Sequence, residues 1–208
     1  NKGEVVKDAT FKYGILTSSP FVGLYHPVLH ANKADGVITE TVFGRTFPVD
    51  DALKYKLDDK DAPVKLHIDK DKNEATLTIH DGVKWNNGED LTSKDIIASY
   101  ELLGNPKYTE NVRYNGSFEL IEGMKDYHDG KASSISGITK KDDKTVVIKY
   151  TEIKPSLLWG SGFISTFLNK DQVEAASKDF SKFSEAELNT KPLSYGPYYF
   201  DKVVNGES

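Results

Sequence analysis

The 208-residue chain has no cysteine, which removes disulfides, thiolate metal sites and a thiol nucleophile at once. No apolar run approaches the ~18 or more residues that a membrane-spanning helix requires. No charged-then-apolar leader opens the chain, and its first residue is Asn1 rather than Met. A basic stripe is missing too. The 32 acids and 27 bases, net charge -5, are interleaved in runs such as Asp58-Asp-Lys-Asp61 and Asp69-Lys-Asp-Lys72. Such mixing reads as solvated surface and gives no footprint for nucleic acid.

Catalytic constellations are equally scarce. Of the five histidines, His26 and His30 are spaced by four, but Pro27 stands where the glutamate of the His-Glu-x-x-His zincin motif belongs. No serine stands in a triad context. Gly160-Ser161-Gly162 lacks the third glycine of a dinucleotide fingerprint, because position 165 is serine, and Trp159 and Phe163 are not the outer glycines of a nucleophile elbow. Glu40 and Asp50 would serve glycoside cleavage only if the fold joined them in a dry cleft. These absences argue against an enzyme, and nothing in the sequence calls for a cofactor.

What is present is a globular composition, 38% hydrophobic and 28% charged, in a chain long enough for one large or two small domains. Residues 73–103 organise it. Leu77 and Ile79 alternate with Thr76, Thr78 and His80 as in a half-buried strand. Asp81-Gly82 turns the chain, Val83 and Trp85 resume the alternation, and Asn86-Asn87-Gly88 turns it again. Thr92, three residues before Asp95, resembles a capping box and predicts a helix start. Ile96, Ile97, Tyr100 and Leu103 then share one helical face.

Along the rest of the chain, residues 10–16 alternate as a short strand that Pro20 ends. Residues 21–30 form a helical turn around Pro27, and residues 35–50 a helix or a strand. Residues 64–69 pair with 76–80 as a hairpin. With Leu66 and Ile68 facing Ile79 and Leu77, His67 and His80 become outer-face diagonal neighbours ~7–8 Å apart, read as solvent-exposed and not as metal ligands. Residues 118–128 have helical spacing. Residues 135–138 and 145–150 flank a charged turn as a second hairpin. Residues 155–168 are densely apolar and read as core, with Trp159 placed on a cleft wall because pockets favour aromatic lining. Val173, Ala176, Phe180 and Phe183 mark an amphipathic helix broken near Asp179, and residues 184–192 a linker.

The run from Leu77 through His80-Asp-Gly82, Trp85-Asn-Asn-Gly88 and Thr92-Ser-Lys-Asp95 to Tyr100 resembles the signature of the peptide-binding receptors of ABC importers. These are the OppA-like proteins of solute-binding protein family 5. Asn105-Pro106-Lys-Tyr108, residues 123–130 and residues 135–138 resemble the versions found in Gram-positive lactic bacteria. Lys191-Pro-Leu-Ser-Tyr-Gly196-Pro-Tyr-Tyr-Phe200, with Asn205-Gly-Glu-Ser208, resembles a later element of the family.

The resemblance implies an α+β chain, a fragment of a type II periplasmic-binding-protein-like (cluster C) receptor. It has a small mixed β-sheet domain over residues 35–154 and parts of a discontinuous first lobe over 10–34 and 155–208. The Asn205-Gly206 turn leads toward no following strand, so less than half of the receptor is expected here, with weak peptide binding or none. The family's loop after the first strand lines the ligand cleft, where backbone groups pair with an extended peptide. Ser18, Ser19, Pro20 and Phe21 are the matching positions; an ordinary strand-ending turn is the alternative. The implied partners are an oligopeptide ligand and ABC permease subunits, and the implied setting is a monomer, lipid-anchored at the extracellular face of the membrane. A signalling-peptide receptor, another solute receptor or a surface interaction module remain alternatives.

Overall fold

Leu66 lies directly opposite Leu77, and Ile68 opposite Ala75, in the hairpin predicted around residue 70. The computed structural model describes residue 10 and residues 12–111, 113–160 and 162–204. Strands β1 (Val64–Asp69), β2 (Glu74–Ile79), β3 (Ile138–Lys140) and β4 (Thr145–Lys149) form one sheet in the order β1-β2-β4-β3. Every pairing is antiparallel rather than mixed, since β1–β2 and β3–β4 are hairpins and β4 runs back along β2.

The register differs by two residues from the spacing-based expectation, which set Leu66 against Ile79. A two-residue shift leaves every side chain on its expected face, so the buried set is unchanged. The turn causes it. Asp69 Oδ1 accepts the amides of Asp71 and Lys72, both at 3.1 Å, and Asn73 takes a left-handed φ of 53°, so that Asp69 already pairs with Glu74. His67 consequently faces Thr76, and His80 falls beyond the strand, its Nδ1 bonded to the carbonyl of Ala62 at 2.5 Å. The expected diagonal histidine pair does not form.

Helix α1 (Lys33–Phe43) resolves the helix-or-strand choice over residues 35–50. Its start is set by Asn32, whose side chain accepts the amide of Asp35 at 2.8 Å. Helix α2 (Ser93–Gly104) begins where the Thr92-Asp95 spacing predicts. The Asp95 carboxylate takes both the amide of Thr92, at 2.8 Å, and its hydroxyl, at 3.2 Å. Ile96, Tyr100, Leu102 and Leu103 are buried against Leu77, Val146 and Ile148 in one apolar cluster. Each such side chain contributes roughly 1.5–3 kcal/mol by leaving water.

The helix predicted over residues 118–128 is split. A 3-10 turn (Phe118–Leu120) and α3 (Met124–His128) flank Ile121, which makes an isolated bridge to Tyr150. The amide of Glu122 bonds the Lys149 carbonyl at 2.9 Å, and the amide of Gly137 bonds the Glu122 carbonyl at 2.8 Å. Sheet pairing thus overrides the helical period. Gly123 makes the break feasible at φ 78°, where a Cβ would stand 2.1 Å from Ser136 Oγ.

Helix α4 (Lys170–Ala176) and a 3-10 turn (Phe180–Glu185) form the amphipathic segment, interrupted at Asp179, whose side chain caps the second piece. Residues 184–192 are not a linker. They contain α5 (Glu187–Thr190), with Leu188 and Asn189 buried, and Asn189 Nδ2 donates to the Phe183 carbonyl at 2.7 Å. Polarity suggested an exposed connection; an asparagine bonded inside the fold gives the same letter for the opposite reason.

No strand forms over residue 10 and residues 12–16; Phe11 lies outside the described residues, as do Ser161 and the turn at Asn205-Gly206. Leu16 is fully exposed and Tyr13 is 67% exposed. Alternation alone does not make a strand where no neighbouring strand, among the described residues, supplies the ladder. The turn around Pro27 does form, with the His26 carbonyl accepting the amides of Leu29 and His30. Among the described residues no helix is long and apolar enough to cross a membrane.

Candidate ligand-binding site

Helix α1 carries a candidate surface at each end. At its first turn, Ser18 and Ser19 lie exposed beside Lys33, Ala34 and Val37 around a cavity of about 170 Å³. The turn is tied down from behind. Asp35, fully buried, accepts the amides of Val22 and Gly23 at 3.1 Å each and of Leu24 at 3.0 Å. Asn32 Nδ2 donates to the Pro20 carbonyl at 3.2 Å, and Thr17 Oγ1 to the Ser19 carbonyl at 2.7 Å. A carboxylate holding three amides is a charge-assisted clamp, each such bond worth roughly 1.5–3 kcal/mol. Pro20 and Phe21 project outward between these bonds, Phe21 with 44% of its surface exposed.

Toward the last turn of α1, Thr39 and Glu40 line a second cavity of about 420 Å³, which Trp159 shares. Trp159 ends a 3-10 turn (Leu157–Trp159), is 71% exposed, and meets Tyr55 edge-on at 5.3 Å and 62°. Leu53 and Phe47 extend this apolar wall, while Arg45 and Glu40 add one charge of each sign.

A small loop sets the Tyr55 side. Val49 and Tyr55 form a bridge, and Asp50 Oδ1 accepts the amides of Ala52 and Lys54, both at 2.9 Å. Leu53 at its tip has a φ of 60° and is 69% exposed. A branched residue in the left-handed region costs about 1–3 kcal/mol, so the loop holds an apolar side chain in the open at an energetic disadvantage.

Behind the cavity, the Tyr195 hydroxyl bonds Thr46 Oγ1 at 2.7 Å and accepts the Phe167 amide at 3.0 Å. Burial pushes this phenol up to about 12, so it stays protonated. Gly196 passes so close to α1 that a Cβ would lie 2.3 Å from the Phe43 carbonyl oxygen. Ser194 exchanges two bonds with Asn86, both at 2.9 Å, which docks the Gly-Pro-Tyr-Tyr segment on the Trp85 turn. Trp85 is buried edge-on to Tyr195 at 5.2 Å.

His26 is buried, receives the Val28 amide on Nδ1 at 3.1 Å and directs Nε2 at the Phe167 carbonyl at 3.4 Å. Desolvation lowers its pKa to about 3, partly opposed by that carbonyl, so the ring is neutral and structural. Among the described residues, no three histidine or acidic side chains are grouped to hold a metal.

Thus Ser18 and Ser19 line one cavity and Trp159 the other, with α1 between them; Phe21 lines neither. Sequence reasoning missed Tyr55, Leu53 and Arg45, which come from a loop with no motif, and Asp35, which lay inside a segment of undecided structure.

The family described as bacterial extracellular solute-binding proteins, family 5, matches residues 57–208. Oligopeptide-binding protein OppA of Lactococcus lactis subsp. lactis is 36% identical over 155 residues, covering 72% of this chain and 25% of that protein. Oligopeptide-binding protein AliB of Streptococcus pneumoniae is 25% identical over 185 residues, 84% of this chain and 25% of that one. The structure of lactococcal OppA, closed around an endogenous peptide, superposes with a TM-score of 0.80 at 28% identity over 92% of this chain and 36% of that one. The fold is therefore that of the corresponding part of type II periplasmic-binding-protein-like receptors. The chain spans about a quarter of the length of the curated relatives it matches.

Proposed function

Since the chain belongs to the bacterial extracellular solute-binding proteins of family 5, we propose that it forms part of a receptor that captures extended oligopeptides outside the membrane and delivers them to an ABC permease. It is a binding module with no catalytic role. The observation that carries this reading is the open apolar wall of Trp159, Tyr55 and Leu53 at one end of α1, with the clamped turn of residues 18–21 at the other. Amides and carbonyls of the turn suit the main chain of a peptide, and the aromatic wall suits a side chain. Ser18, Ser19, Pro20, Phe21 and Trp159 are the assigned contacts. The names of OppA and AliB as oligopeptide-binding proteins support peptides over other solutes.

Residues 10–34 and 155–208 are assigned to the first lobe and residues 35–154 to the smaller domain. Bonds between the two outer segments support the division: the Tyr25 amide donates to the Asn189 carbonyl at 2.8 Å, and His26 meets Phe167. In the whole receptor, an opposing lobe closes over the peptide and excludes water, which strengthens the buried hydrogen bonds. A lipid anchor would hold that receptor, as a monomer, at the outer face of the membrane.

Two measurements test this. Titration of the 208 residues with a mixed-sequence peptide pool is expected to show weak binding or none, because these residues span about a quarter of the relatives' length; tight stoichiometric binding would overturn the two-lobed arrangement. Mass spectrometry of what co-purifies with a receptor of the relatives' full length containing these residues is expected to find peptides of varied sequence. A non-peptide solute in their place would overturn the assignment.

A further inference from the structure

Leu53 holds a backbone conformation that its side chain does not favour. Residues 51–53 make a loop closed by two bonds, the Leu53 amide donating to the Asp50 carbonyl and the Asp50 amide to the Lys54 carbonyl, both at 2.9 Å. The Lys56 amide continues the pairing to the Pro48 carbonyl at 2.8 Å. In hairpins with a loop of this length the last loop residue turns left-handed, and glycine is its usual occupant. Leucine stands there, at φ 60°. Asn73 is the other non-glycine residue with positive φ among the described residues, and asparagine tolerates that region far better than a bulky aliphatic chain does.

Packing within the chain does not offset the strain. Leu53 is 69% exposed, so most of its apolar surface stays in water. The loop is not free to relax either, because Asp50 Oδ1 holds the amides of Ala52 and Lys54. Neither the backbone nor the core of this chain calls for a leucine here, and strain of this kind collects at ligand clamps. Leu53 lines the same cavity of about 420 Å³ as Tyr55 and Trp159. The charges on that lining, Glu40 and Arg45, are one of each sign and offset each other, which suits an uncharged occupant.

We propose that Leu53 is a specificity-determining contact of this cavity, which packs against one large uncharged apolar side chain of an extended peptide. The bonded loop holds the leucine backbone in place before the ligand arrives, so little chain freedom is lost when the two side chains meet. The inference rests on the peptide reading given above; it adds the class of side chain taken and the residue that selects it.

The test is Leu53→Asn, which suits the left-handed backbone and removes the apolar contact. In the ligand-free 208-residue chain it is expected to raise the thermal midpoint by about 2 °C. A fall would make Leu53 a structural residue and overturn the proposal. In a receptor of the relatives' full length containing these residues, penta-alanine is compared with its single-leucine variants. The best of these variants is expected to bind the parent more tightly than penta-alanine does. In Leu53→Asn that ratio is expected to drop about 5–10-fold, with penta-alanine affinity within about two-fold of the parent. An unchanged ratio overturns the proposal. An equal drop for every peptide overturns it too, and would set Leu53 against the opposing lobe instead. If the parent binds none of these peptides, the peptide reading itself fails and takes this inference with it; the other outcomes leave that reading standing.

Discussion

The carboxylate of Asp95 accepts the backbone amide of Lys170 at 2.9 Å across 75 residues of chain. With its other oxygen it takes the amide of Thr92, so one buried side chain caps α2 and holds the first amide of α4, whose N-cap is Asn169. Ser99, one turn on, accepts the amide of Leu168 at 2.8 Å and joins the same two elements. Asp95→Asn keeps the shape but removes the charge and one acceptor. The expected loss is about 2–3 kcal/mol, read as a lower urea midpoint with unchanged slope. A change below ~0.5 kcal/mol would show that the bond to Lys170 is dispensable.

The Asp35 clamp makes a local prediction. In Asp35→Asn, the amides of Val22, Gly23 and Leu24 lose the charge and one of the two oxygens they share, a donor NH2 standing in its place. Their hydrogen exchange is expected to accelerate about 10–100-fold, equivalent to ~1.4–2.8 kcal/mol. Amides of β2 should slow or quicken only with global stability.

Acid stability follows from His26. Its folded pKa of about 3 lies below the model-compound value of 6.5, so the unfolded chain binds the proton more readily. Above pH 6.5 both states are neutral and stability is complete; as pH falls from there toward about 3, stability is lost at up to ~1.4 kcal/mol per pH unit. Between pH 6.5 and 5, above the range where most carboxylates titrate, the expected loss is about 2 kcal/mol. Urea midpoints at the two pH values measure it, and His26→Phe is expected to flatten the slope. An equal slope in that variant would assign the acid sensitivity elsewhere.

Two glycines give a paired test of backbone approach. At Gly196 a Cβ would sit 2.3 Å from the Phe43 carbonyl, whereas at Gly116 nothing lies within 4 Å. Gly196→Ala is expected to cost ~1–3 kcal/mol, and Gly116→Ala to remain within ~0.5 kcal/mol of the parent. Thermal unfolding of both variants decides whether the Gly-Pro-Tyr-Tyr segment is docked as closely as described.

How much of this was legible follows the range of each signal. Thr92 and Asp95 are three residues apart, and their cap was readable; the bond from Asp95 to Lys170 was not, because nothing near Lys170 announces a distant acceptor. The first hairpin follows from alternation, but its register depended on the left-handed Asn73; the second forms with its first strand at Ile138–Lys140 rather than over residues 135–138. Ile121 had helical spacing and went to a sheet bridge, a tertiary choice invisible in its neighbours. Asn189 looked like linker and is buried. Trp159 stood in an apolar, charge-free stretch that read as core, yet its ring is 71% exposed. Its neighbour Tyr55 was not legible, since it reaches Trp159 through a loop whose tip residue, Leu53, adopts an unusual conformation.

The double use of Asp95 has a kinetic consequence. A short helix of seven residues such as α4 has little tendency to nucleate alone, and its first amide is satisfied by a group that is positioned only once α2 has wound. The later segment, though capped locally by Asn169, gains this acceptor only once the earlier one has wound, and a chain emerging from its N-terminus completes that template before the piece that uses it arrives.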